Sequence, residues 1–92
     1  MPRSTREVAS GLEGKGFVRR TGDHAFFHLH VGGKKTAIFT KVSHGEKEIH
    51  DGLLGAMARQ VRLTKRKFLD LVDCPLKEEE YVSLLREGGH IE

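Results

Sequence analysis

Between residues 24 and 31 the chain alternates without a break. Ala25, Phe27, Leu29 and Val31 are apolar, and His24, Phe26, His28 and His30 fall between them. Strand side chains point to opposite faces in turn, so this pattern predicts a half-buried strand. One face belongs to a core; the other carries imidazoles and a phenyl ring. Gly32-Gly33 follows, then a second strand-like run over 35–42. Two glycines between such runs predict a two-residue hairpin, because both turn positions take positive φ. That turn sets His24 opposite Lys41, Phe26 opposite Phe39, His28 opposite Ala37 and His30 opposite Lys35. Phe17 to Thr21 predicts a strand before the hairpin, ended by Gly22-Asp23.

Helical spacing frames these strands. Ser4-Thr5-Arg6-Glu7 fits a capping box, with Val8, Ala9 and Leu12 on one side of the helix it opens. Gly11 weakens that helix, and Gly14 and Gly16 mark its end. Ser43 to His50 reads as a polar loop. Leu53, Leu54, Met57, Ala58 and Val61 then recur at helix spacing, with Asp51 as the expected N-cap and with Gly52 and Gly55 small enough for close packing on the sheet. Thr64 caps a further helix bearing Phe68, Leu69 and Val72, which Cys74-Pro75 ends. Leu76 to Arg86 gives a last helix. Its first turn is acidic, its stripe is Tyr81, Leu84 and Leu85, and Gly88-Gly89 closes it. The order is α-β-β-β-α-α-α, which predicts an α+β fold with a three-stranded antiparallel sheet, one face under helices and one in water.

The 92 residues make one small globular unit. No run approaches the ~18 apolar residues of a membrane span, and no basic-then-apolar leader opens the chain. With one cysteine there is neither a disulfide framework nor a cysteine metal cluster, so the expected compartment is the cytoplasm. The net charge of +3 is mild, but it is unevenly spread. Residues 1–50 carry nine Lys/Arg against five Asp/Glu, and residues 51–92 carry seven against eight. The basic excess thus accompanies the hairpin, as a nucleic-acid footprint would. On charge alone, an ordinary solvated surface is the better reading.

Three chemistries compete for the histidine face. An imidazole titrates near neutrality and can take the proton of an RNA 2′-hydroxyl, making that oxygen a nucleophile toward the adjacent phosphorus. Nearby cations would stabilise the charge that builds on the phosphate. His24 as acid or base, with Arg19, Arg20, Lys35 and Lys41 as phosphate contacts and Phe26 as a stacking ring, supplies those parts without a metal or cofactor. A metal site is the second reading. His24 and His28 lie roughly 13 Å apart along an extended strand, too far for one ion with ~2 Å bonds. A further ligand would have to come from another strand or from His44 or His50. The third reading is the wet side of a sheet, with Phe26 and Phe39 as a cross-strand pair.

Thr5 to Val61 resembles the HicA family of toxin–antitoxin mRNA interferases. The resemblance lies in a helix opening with Thr5-Arg6-Glu7, then Lys15-Gly16-Phe17, then Gly22-Asp23-His24 at the second strand. His44-Gly45-Glu46-Lys47-Glu48-Ile49 is similar to the family's His-Gly-x-Lys-Glu-Ile/Leu loop, and Leu53-Leu54 opens the second helix. It implies an α-β-β-β-α sandwich similar to the double-stranded RNA-binding domain, mRNA cleavage, and a HicB-like antitoxin partner. The family's catalytic histidine, in Gly-Ser-His, falls on His24. Two departures stand out: Asp23 replaces the serine, and residues 63–92 extend the chain beyond the usual end. The resulting expectation is a nuclease domain at 1–62 and a helical extension at 63–92, packed on it or on a second copy in a homo-oligomer. The activity expected is metal-independent RNA cleavage. The alternatives are a non-catalytic RNA-binding module and a protein-interaction domain.

Overall fold

Ser4 stands in extended conformation, and its hydroxyl accepts the Glu7 N–H at 3.3 Å. Helix α1 (Thr5–Glu13) starts on that cap in the computed structural model, which describes residues 3–43, 47–73 and 75–91. Three strands follow: β2 (Phe17–Thr21), β3 (His24–Val31) and β4 (Lys34–Ser43). They form one antiparallel sheet in the order β2-β3-β4. Gly32 and Gly33 both have positive φ, 59° and 81°, as a two-residue hairpin requires. Three helices come after the sheet: α2 (Asp51–Gln60), α3 (Lys65–Asp73) and α4 (Glu78–Glu87). The fold is α+β.

The hairpin register differs from the expected one. His30 pairs with Lys35, but an irregularity follows, and beyond it His28 pairs with Phe39, Phe26 with Lys41 and His24 with Ser43. Two extra β4 residues are absorbed there. Thr36 makes this possible: its hydroxyl donates to the Leu29 carbonyl at 2.8 Å and accepts the Ile38 N–H at 3.2 Å. A side chain thus takes over a stretch of the ladder. Because the slip is two residues, every side chain keeps its face and only its neighbours change.

The polar loop of 43–50 also needs correction. Arg3–Ser4 (β1) and Glu48–Ile49 (β5) form a short antiparallel ladder, extended by Thr5 N–H donating to the Lys47 carbonyl at 3.0 Å. It joins the entrances of α1 and α2 and buries Ile49 completely. The N-cap of α2 is His50, whose Nδ1 accepts the Leu53 N–H at 3.2 Å; Asp51 is the first helical residue. Lys65 hydrogen-bonds the Asp51 carboxylate at 2.7 Å and holds it below the usual carboxylate range. His44, Gly45, Glu46 and Cys74 lie outside the described residues.

One apolar core runs under the sheet. Phe17, Ala25, Phe27, Leu29, Ile38 and Val42 come from the strands, Val8 and Leu12 from α1, and Leu54, Met57 and Val61 from α2 and its end. Phe68, Leu71, Val72, Leu76, Tyr81 and Leu85 from the C-terminal segment belong to the same cluster. Tyr81 stacks on Phe17 with centroids 6.0 Å apart, and its hydroxyl donates to the Val61 carbonyl at 2.8 Å. Burial pushes that phenol upward from its ordinary pKa. The close approach expected at Gly52 and Gly55 occurs at Gly11 instead. A Cβ there would sit 2.6 Å from the Val72 carbonyl oxygen, where α1 crosses α3. Among the described residues, no helix is long and apolar enough to cross a membrane.

Candidate nucleic-acid interface

The helices leave one side of the sheet uncovered. On β3 that side carries His24, Phe26, His28 and His30, all half-buried, while Ala25, Phe27 and Leu29 point into the core. Pairing arranges its residues in rows across the strands. Arg20, Phe26 and Lys41 form one row, and Val18, His28 and Phe39 form the next. The first is cation–ring–cation. The second is apolar throughout apart from its central imidazole.

The rings shield one another. Phe26 lies 6.3 Å from His24, edge to face, and 6.2 Å from His28 in a more parallel arrangement. His28 stacks on Phe39 at 5.2 Å with 21° between planes, and Phe39 stands 6.5 Å from Phe26. Such pairs contribute about 0.5–1.5 kcal/mol each beyond the area they cover, so four rings hold one another in a fixed platform. Phe39 nevertheless remains 41% exposed and Val18 49%. Exposed rings on a platform of this kind offer π-faces on which a nucleobase can stack.

The electrostatics favour an anion. Asp23 is the only carboxylate from residue 14 to residue 45, a span holding six Lys/Arg. His28 has its pKa lowered, first by burial and then by Lys35, His30 and Arg20, so at neutral pH it contributes a neutral ring. At the hairpin end Arg19, Arg20, His28, His30, Lys35 and Val18 enclose a shallow recess of about 210 Å³.

The residues expected at the site are thus brought together unequally. Phe26 and Lys41 are direct partners, with Arg20 on Phe26's other flank. Lys35 lies nearer the hairpin turn, beside His30. Arg19 leaves β2 on the opposite side, with Phe27 as its partner. Its guanidinium lies 5.8 Å from the Phe27 ring centre and 3.8 Å from the Glu13 carboxylate. It lines the recess but does not join the cation–ring–cation row. His24 sits at the far end of β3 beside Ser43, not Lys41, and its Nδ1 is buried with no hydrogen-bond partner among the described residues. The turn before it closes about Asp23, where Gly22 N–H donates to the His24 carbonyl at 3.1 Å. No three His, Cys, Asp or Glu side chains among the described residues gather as a metal-holding group. Phe39 and His28 are members of the platform that the sequence reading left out of the site, although the period-two pattern already places both on the right face.

The chain matches no protein-family model, no curated protein and no solved structure.

Proposed function

We propose that the uncovered sheet face binds single-stranded RNA and that the protein is a metal-independent endoribonuclease of the mRNA-interferase type. The observation that carries the binding is the row Arg20–Phe26–Lys41 beside the stacked His28–Phe39 pair. A base can lie on the phenyl ring while cations on both sides meet the flanking phosphates. Adjacent strands lie about 4.8 Å apart, so roughly 10 Å separates the two cationic strands across one stacking ring. The cleavage reading rests on the HicA-like pattern of Thr5 to Val61, as do the likeness to the double-stranded RNA-binding domain, the HicB-like antitoxin partner and a cytoplasmic site of action. In that reading the His24 imidazole takes the 2′-hydroxyl proton. The 2′-oxygen then attacks phosphorus and the bond to the 5′-oxygen breaks, that oxygen leaving as a hydroxyl with a proton from the imidazolium or from water, giving a 2′,3′-cyclic phosphate.

The second reading is a non-catalytic RNA-binding module. The Nδ1 of His24, which has no partner among the described residues, favours it, because a catalytic imidazole is ordinarily oriented by a hydrogen bond to its other nitrogen. Both readings require binding, and binding is tested with a short 2′-O-methyl single-stranded RNA, which cannot be cut. Its affinity is expected to fall with salt at a slope of about −0.7 per phosphate contact. Lys41→Ala should flatten that slope by about one contact, measured by fluorescence anisotropy across a salt series. A slope unchanged in Lys41→Ala, or no binding by the wild type, goes against the interface.

A further inference from the structure

We infer that the groove between β4 and the C-terminal end of α2 is a second RNA subsite, taking the nucleotide next to the one stacked on the sheet platform, with Arg59 and Arg62 as its phosphate contacts. This rests on the RNA-binding reading above and extends the strand's path beyond the sheet.

The groove encloses about 490 Å³ and is lined by Ala37, Phe39, Ala56, Arg59, Gln60 and Arg62. Phe39 belongs both to it and to the platform, since the same ring stacks on His28. A strand of bases crossing from β3 to β4 therefore runs into this groove without a break. Its walls suit a nucleotide. The exposed phenyl ring gives a stacking surface, two alanines leave room beside it, Gln60 brings an amide and the two arginines bring charge. None of the lining residues is acidic. The Gln60 amide oxygen is engaged by the Thr40 hydroxyl at 2.6 Å, which leaves its amide nitrogen to donate toward a ligand. Arg3, Arg19 and Lys65 elsewhere in the chain have carboxylate partners; Arg59 and Arg62 form no ion pair among the described residues.

Backbone geometry gives the second argument. Arg62 has φ of +66° and is the only described non-glycine residue with positive φ. It stands where a helix commonly ends in glycine: Leu63 N–H donates to the Ala58 carbonyl at 2.8 Å and Arg62 N–H to the Arg59 carbonyl at 3.1 Å. A glycine would satisfy those bonds without the Cβ penalty. The protein keeps a strained arginine there, and that places a second guanidinium beside Arg59 at the mouth of the groove. Strain held at one exposed residue points to a role for its side chain.

The test follows from that strain. Arg62→Gly removes the guanidinium but suits the backbone, so the thermal midpoint should stay the same or rise. Arg59→Gln removes the other charge in a good helix former. With the 2′-O-methyl RNA as probe, each variant should bind about three- to tenfold more weakly, with a flatter salt slope. Phe26→Ala is measured beside them as the control for the platform. If Phe26→Ala weakens binding and both arginine variants bind as the wild type does, the subsite is overturned and the platform stands. If affinity falls only in Arg62→Gly and the midpoint falls with it, Arg62 is a structural residue and the subsite is again overturned. If the wild type does not bind RNA, the underlying reading fails, and the subsite with it.

Discussion

His24→Ala is expected to abolish RNA cleavage while leaving the fold and the RNA affinity in place. Acid–base catalysis by one imidazole contributes about 10²–10⁴ in rate, so residual cutting should be at least about a hundredfold slower. The stability cost should be under about 1 kcal/mol, because the ring is half-buried and, among the described residues, its Nδ1 has no hydrogen bond to lose and its one aromatic contact is edge-on to Phe26. The wild-type reaction should persist in chelator. It should release a 2′,3′-cyclic phosphate and fail on substrate with a 2′-deoxy sugar at the cut. Gel analysis of a labelled RNA reads all of these. Binding without cutting by the wild type would select the non-catalytic module, and loss of cutting in chelator would require a metal-dependent mechanism.

Lys15→Met is expected to have the largest effect on stability. Lys15 is buried, and its ammonium donates to the Leu71 carbonyl at 2.6 Å and the Leu76 carbonyl at 2.8 Å. The first of these carbonyls belongs to the last turn of α3, where no helical partner is available and the helix dipole is negative. One charged side chain at the end of α1 therefore fastens α3 and the segment leading to α4. Methionine keeps the apolar stem but strands both carbonyls. The expected loss is about 2–4 kcal/mol, which in a chain of this size lowers the thermal midpoint by roughly 10–20 °C. Thermal melts followed by circular dichroism check it. A midpoint equal to that of the wild type would show that the two hydrogen bonds do not hold the C-terminal helices.

Much of the sheet was legible in the chain, for a specific reason. The alternation from His24 to Val31 sets the faces, Gly32-Gly33 sets the turn, and both are local. The neighbour relations were not legible, because a two-residue slip conserves parity and leaves no trace in the hydrophobic pattern. It is visible only once the Thr36 hydroxyl is seen bonding the Leu29 carbonyl. Arg19 is a different case: adjacent strand residues cannot share a face, so its separation from Arg20 was already implied by the period of two. The β1–β5 ladder has two residues on each side, too few to show any period. His50 caps α2 through a ring nitrogen, a residue type outside the usual capping set, so Asp51 drew the assignment. Gly11 looked like a helix weakener, and only the crossing of α1 and α3 explains it. Arg59 and Arg62 lie far along the chain from the hairpin, and no spacing rule connects them to Phe39.

The central claim is that the uncovered sheet face is where RNA binds. The most direct measurement is a backbone amide chemical-shift titration of the wild-type protein with the short 2′-O-methyl single-stranded RNA. The account predicts that the largest changes cluster at Arg20, Phe26, His28, Phe39 and Lys41, with α1 and α3 on the far side of the core unaffected. Changes concentrated on α1 and α3, or none at saturating RNA, would contradict it.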